Sequence, residues 1–228
     1  MAAQKRVVVN FHGLGPPPDH IEQDERPYWF PVDRFARIVD EIAVRQSRGH
    51  DIAITFDDGN RTDVDIAAPI LARNGIAGSF FILVGRLGQD GYLSSEDIIR
   101  LLDMKMEIGL HGRHHVDWRL LDMAGLESEV PRAREQLSTV AGTRIKVVGV
   151  PFGAYNRRVM TYLKKQGFNT IYTSDGGLTR AGQRVQPRLS LRSDMVDTDI
   201  EGVLAGTIGG TLKHAKRRLQ RLLKEHVI

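Results

Sequence analysis

The sequence predicts a parallel α/β barrel of six or seven strands. Three observations carry that expectation. Short apolar runs alternate with stretches of helical periodicity along the whole chain. No obvious linker divides the 228 residues, which suits one barrel better than two small domains. Polar residues with chemical potential fall just after the expected strands, where parallel barrels gather their chemistry.

Each element follows from local pattern. Residues 6–11 contain Val7-Val8-Val9 and read as the first strand. Residues 32–46 place Val32, Phe35, Ile38, Val39, Ile42 and Ala43 on one helical stripe. Residues 51–56 alternate as a second strand. Residues 63–74 read as a helix stopped by Asn74-Gly75. A third strand is expected at 77–84. Ser94 or Ser95 opens the next helix as N-cap, because a serine oxygen can accept a free backbone N–H of the first turn. A short strand at 106–110 is followed by a long helix over 120–140, which Pro131 should kink or break. A strand at 145–150, a helix at 157–166, a strand at 168–173 and a weak strand at 187–191 complete the barrel. From about residue 200 the chain reads as helical, with breaks at Gly206, Gly209 and Gly210.

Composition narrows the function. The chain is 41% apolar and 26% charged, ordinary for a soluble globular protein, and no run of eighteen apolar residues predicts a membrane-spanning helix. With no cysteine, any metal must be held by His, Asp or Glu. The first residues lack the apolar segment and small-residue cleavage site of a secretory signal, so a cytoplasmic location is expected. The net charge of +4 is uneven: residues 211–228 carry +5, leaving residues 1–210 at −1. The body is therefore not a nucleic-acid-binding surface. We expect a single domain over 1–228, with 200–228 as a basic C-terminal helical extension. The tail has two readings, a helix on a membrane surface or one docked on the barrel with a solvated basic face.

Two motifs dominate. Thr55-Phe56-Asp57-Asp58-Gly59 sets two carboxylates at a strand end. On a strand they would point to opposite sides, but just past it the glycine can let both reach one pocket. Either this is a plain β-turn, or the pair serves a divalent metal, one Asp as ligand and one as base. His111 and His115 are four apart, which on a helical turn puts both imidazoles on one face at a spacing a metal accepts. Three histidines in five residues could equally form a polar surface cluster. The loop at 13–31, with Tyr28-Trp29-Phe30, either stacks on sugar or caps one end of the core.

The order of Thr-Phe-Asp-Asp-Gly, then Glu107-Ile108-Gly109-Leu110-His111 with His115, then Pro151-Phe152-Gly153-Ala154-Tyr155-Asn156, resembles the polysaccharide deacetylase family (NodB-homology, carbohydrate esterase family 4) over roughly residues 5–192. That resemblance implies a distorted (β/α)7 barrel of the polysaccharide deacetylase type. It implies a metal-dependent de-N-acetylase acting on N-acetylated amino sugars of a polysaccharide, an oligosaccharide or a lipid-linked precursor. It implies Asp57 as general base, Asp58, His111 and His115 as ligands of a divalent metal, usually zinc, and the Phe152 backbone N–H at the oxyanion. Pro151, Phe152, Gly153 and Tyr155 are expected to contact substrate, and Asp175-Gly176-Gly177 either contacts a sugar hydroxyl through Asp175 or forms a plain turn.

The chain departs from the family at several points. Gly149 stands where an Arg usually steadies the base, and Arg188 is the candidate to take over. Gly112 replaces the usual Ser or Thr after the first motif histidine. The acid for the leaving amine has three candidates: His12, His114, and His214 in Leu212-Lys213-His214. Two rivals follow, a glycan-binding pseudoenzyme and a hydrolase of another amide on the same fold.

Overall fold

A computed structural model describes residues 4–19 and 21–207. Strands β1 (Lys5–Phe11), β2 (Asp51–Phe56), β3 (Gly78–Ile82), β4 (Glu107–Leu110), β5 (Val147–Gly149) and β6 (Thr170–Thr173) are neighbours in that order. All five successive pairings are parallel. Two-residue β7 (Thr179–Arg180) runs antiparallel on the outer edge of β1. It was not legible in the sequence, because two residues carry no alternation.

Closure comes from one short segment. β8 (Val185–Pro187) pairs with β6, and β9 (Leu189–Ser190) pairs with β1. The single residue between them is Arg188. The weak strand expected at 187–191 is thus two strands, bent at the residue that crosses from one edge of the sheet to the other. The result is a nearly closed barrel-like sheet.

The helices dress the outside. α1 (Val32–Ser47) buries Phe35, Ile38, Val39 and Ile42, the stripe read from the sequence. One π-helical turn, Asp63–Ala67, leads into α2 (Ala68–Arg73). α3 (Ser95–Asp103) starts at a full capping box: Ser94 accepts the Asp97 N–H, and the Asp97 carboxylate accepts the Ser94 N–H. The long helix expected at 120–140 is broken at Pro131 as expected, into α4 (Met123–Glu127), a π-turn at Ser128–Arg132 holding Pro131, and α5 (Ala133–Ala141). Proline lacks the N–H a regular helix needs there, and the wider turn absorbs the loss. α6 (Arg157–Lys165) and α7 (Asp197–Leu204) follow.

Aromatic rings fill the core between α1 and the sheet, where Phe11, Phe30, Phe35, Phe56 and Phe80 are fully buried. Phe56 and Phe80 stack at 4.5 Å. Phe30 therefore caps the core, whereas Tyr28 and Trp29 beside it remain partly exposed. Among the described residues no helix is long and apolar enough to cross a membrane. The basic tail after residue 207, with His214, lies outside the described residues.

Candidate metal and catalytic site

The expected polar residues converge at the carboxyl ends of the strands. Asp57 follows β2, and its N–H continues the ladder to Phe11 O at 3.0 Å. The chain then turns through two successive left-handed residues, Asp58 (φ 79°) and Gly59 (φ 69°). Asp58 adopts this itself, a conformation unusual for a residue with a Cβ and often stored at functional sites. That twist brings both carboxylates to one cleft.

His111 follows β4, its N–H bonded to Ile82 O at 2.8 Å. The four-residue spacing to His115 is not a helical turn, as the sequence suggested. The loop runs through Gly112 (φ 96°), and His115 is itself left-handed (φ 50°). The two imidazoles nevertheless meet, with ring centroids 5.3 Å apart.

Asp58 Oδ1 lies 3.7 Å from the Nε2 of His111 and 3.7 Å from that of His115. One donor atom from each of the three falls within 4.8 Å of the others. These separations are too long for hydrogen bonds. They approach the spacing of roughly 3.3–3.5 Å between donors that share an ion at about 2.0–2.2 Å. Asp58 Oδ1 is buried and has no hydrogen-bond partner. His111 Nδ1 lies 2.9 Å from Gly149 O, a contact that places its proton on Nδ1 and leaves the Nε2 lone pair facing the cluster. Burial, opposed by Asp58 and reinforced by His111 and Arg86, pushes the His115 pKa down to about 4, so its lone pair is free at neutral pH. The donor set therefore fits a divalent cation.

Asp57 is held differently. Arg188 Nη1 reaches Asp57 Oδ1 at 2.7 Å and Nη2 reaches Oδ2 at 2.9 Å, a bidentate pair. Asn10 Nδ2 donates to Asp57 Oδ2 at 2.9 Å, and Asn10 Oδ1 accepts from Thr55 Oγ1 (2.7 Å) and Arg188 Nη1 (2.9 Å). Burial alone would raise the Asp57 pKa. The Arg188 guanidinium, through its charge and its hydrogen bonds, outweighs it and holds the carboxyl far below the ordinary range. Gly149 leaves little room for a side chain: a Cβ there would sit 3.1 Å from the Phe81 ring and 3.3 Å from His111 Nδ1. Arg188 lies over that same Phe81 ring, 5.1 Å from its centroid.

The cleft holds about 570 Å³. His12 lines it, with Nε2 4.0 Å from Asp57 Oδ2 and its ring 4.8 Å from that of Tyr28. Tyr28, Trp29, Tyr92 and Phe152 add aromatic wall, and Arg86 and Arg192 add positive charge. Phe152 is 60% exposed, left-handed (φ 56°), and packs 4.1 Å from the His115 ring.

Other expected contacts fall behind the wall. Pro151, Gly153 and Tyr155 are buried, and the Tyr155 hydroxyl bonds Asp175 Oδ2 at 2.7 Å. Tyr155, Asp175, Pro151 and Gly153 do not line the cleft, where Ser174 stands instead. His114 is exposed, faces Gly85, and also does not line the cleft.

Sequence reasoning missed Thr55, Arg86, Tyr92 and Arg192, and gave Asn10 no role. Asn10 and Thr55 carried one signal: they are register partners across β1 and β2. Asp63 was also missed; it is buried, and burial with the nearby Asp58 and Asp57 carboxylates raises its pKa well above the ordinary range.

Residues 45–171 match the family model described as polysaccharide deacetylase. The chain is 22% identical over 162 residues to YxkH of Bacillus subtilis (strain 168), whose name assigns it to the polysaccharide deacetylases; the match covers 71% of this chain and 57% of YxkH. It is 27% identical over 119 residues to a chitin deacetylase of Pestalotiopsis sp, covering 52% of this chain and 40% of that one. The chain thus spans little more than half of YxkH and less of the fungal enzyme. Among solved structures, a polysaccharide deacetylase from Bacillus cereus superposes with a TM-score of 0.78 at 17% identity, over 89% of this chain and 69% of that one. IcaB from Ammonifex degensii superposes with a TM-score of 0.72 at 22% identity, over 90% and 97%. These likenesses show a shared fold.

Proposed function

The chain belongs to the polysaccharide deacetylase family, and from that premise we propose that it is a metal-dependent hydrolase that removes acetyl groups from N-acetylated amino sugars of a glycan. One observation carries the proposal. A carboxylate fixed by an arginine and a separate Asp-His-His donor set open onto the same cleft.

Two carboxylates on adjacent residues need separate tasks. Asp58 has an oxygen with no hydrogen bond and two imidazole nitrogens beside it, an arrangement for a cation. A divalent ion held there, zinc by donor type, would acidify a water and polarise the acetyl carbonyl. Asp57 stays ionised and oriented, and takes the proton of the attacking water. The water oxygen bonds to the acetyl carbon, and the developing oxyanion meets the Phe152 backbone N–H. The C–N bond then breaks, and the amine leaves with a proton from His12, which faces the cleft on the Asp57 side. Acetate and a free amino sugar result. The aromatic wall of Tyr28, Trp29 and Tyr92 supplies faces for sugar rings.

The reaction would take place at the cytoplasmic face of a membrane if the basic tail binds anionic lipid, with a lipid-linked saccharide as substrate. Vesicle flotation with and without residues 211–228 tests that part, and equal flotation removes it.

The central test is acetate release from N-acetylglucosamine oligomers with zinc, cobalt or nickel supplied. D57N should abolish release while metal uptake persists, and H12Q should lower kcat by about 10²–10⁴-fold, the usual contribution of a general acid. A metal-loaded chain that releases no acetate while binding the oligomer supports the pseudoenzyme rival.

A further inference from the structure

Glu129 lies far from the cleft in sequence terms and carries no expected role. It sits on the π-turn between α4 and α5 and is 4% exposed. A buried carboxylate is unfavourable unless hydrogen bonds replace its water. Here the replacement is two backbone amides: Glu129 Oε2 accepts the Arg113 N–H at 2.7 Å and the His114 N–H at 3.1 Å. These are the amides of the loop that joins His111 to His115.

The loop has few other reasons to keep its shape. It starts at Gly112 with φ 96° and ends at His115 with φ 50°, both away from the conformations most residues prefer. Its carbonyls are tied on one side, Gly112 O to the Val84 N–H (3.1 Å) and Arg113 O to the Gly85 N–H (3.0 Å). Glu129 ties the amides on the other. The fit is close: a Cβ at Gly112 would come within 2.8 Å of Glu129 Oε2 and 3.1 Å of the Trp118 ring. The glycine makes room for the carboxylate to approach the backbone. The π-turn also matters, because its extra residue changes which side chains of this segment face inward.

We propose that Glu129 is a positioning residue for the Asp58-His111-His115 site, acting through the backbone of residues 113 and 114 to hold the two imidazoles at their ligating separation. This rests on the metal reading of that site.

The test is a competition titration of zinc against a chromophoric chelator on the full chain. It is paired with the visible spectrum of the cobalt-loaded protein and the melting temperature of the metal-free protein. E129A should weaken zinc binding by about 10–100-fold, the usual effect of losing an outer partner of a ligand, and should shift the cobalt bands. E129Q keeps an acceptor oxygen and should return affinity to within about threefold of wild type. A purely structural Glu129 would lower the metal-free melting temperature and leave affinity and cobalt bands of the folded protein unchanged. That result, or wild-type affinity in folded E129A, overturns the inference. Should E129A fail to fold, E129D replaces it; its carboxylate stops one methylene short, and wild-type affinity there overturns the inference as well. A wild-type chain that binds neither zinc nor cobalt overturns the metal reading itself, and the inference with it.

Discussion

Arg188 grips Asp57 through two parallel N–H···O bonds of 2.7 and 2.9 Å, although 131 residues separate them. Arg188 is also the one residue between β8 and β9, the two strands that join opposite edges of the sheet. Barrel closure and base orientation therefore depend on the same residue.

Replacing that guanidinium with an apolar side chain leaves Asp57 as a buried, uncompensated charge. R188M should lose about 3–5 kcal/mol of stability in urea unfolding, the usual result of removing one partner of a buried pair. R188K keeps a point charge without the planar fork and should fall between, with kcat reduced more than KM rises. The Asp57 carboxyl should also ionise later in the variant, because burial then acts without its opposing cation. The acid limb of the pH–rate profile should move upward in R188M; an unmoved limb would show that Asp57 is not the base.

Metal removal gives the second expectation. Dialysis against a chelator should abolish acetate release, and zinc should restore it. At metal concentrations near a hundred times Kd, binding stabilises the fold by about 2.7 kcal/mol, or roughly 5–10 °C in melting temperature. D58N should erase that increment, since it replaces a charged donor with a neutral one. Differential scanning fluorimetry with and without zinc measures both.

The third concerns the cleft wall. Gly13 lies against Trp29 so closely that a Cβ would come within 2.4 Å of the indole. G13A must displace the ring, which lines the cleft. KM for N-acetylglucosamine oligomers should rise on the order of tenfold, the worth of an aromatic contact, with kcat within a factor of about three. An unchanged KM would remove Trp29 from substrate contact.

The fourth is a pH dependence far from the chemistry. Burial would raise the Asp97 pKa, but the Ser94 N–H and hydroxyl, Arg100 and Arg61 together lower it. A carboxyl whose folded pKa is depressed adds stability above its unfolded pKa near 4 and loses it as the pH falls through the folded value. Below about pH 4 the wild type should therefore lose stability faster than D97N. At pH 7, D97N should be less stable by about 1 kcal/mol, the size of a lost cap contact. Urea midpoints from pH 3 to 7 check the sign.

Much of this was legible in the sequence. Residues 51–56 and the stripe of α1 were read at their observed places, because period 2 and period 3.6 report burial directly. Ser94 announced its own helix, since a cap is a local bond. Asp57, Asp58, His111 and His115 stood out as residues whose types and strand-end positions suit a metal. The errors came where backbone detours from regular periods. Pro131 does break its helix as expected, through a π-turn that the pattern could not specify, whereas His111 to His115 became a left-handed loop instead of a helical turn.

What the sequence determined by itself was the six parallel strands β1 to β6, their order along the chain and the donor types at their ends. These depend on side-chain pattern and residue chemistry, both local. What only the tertiary structure decided was partnership: Arg188 with Asp57, Asn10 with Thr55, and Glu129 with the amides of Arg113 and His114. Those contacts depend on which strands close the barrel and which turn faces inward. A carboxylate's need for a partner can be read from its residue type, but the partner's identity is settled only when the sheet closes and brings distant segments within hydrogen-bond reach.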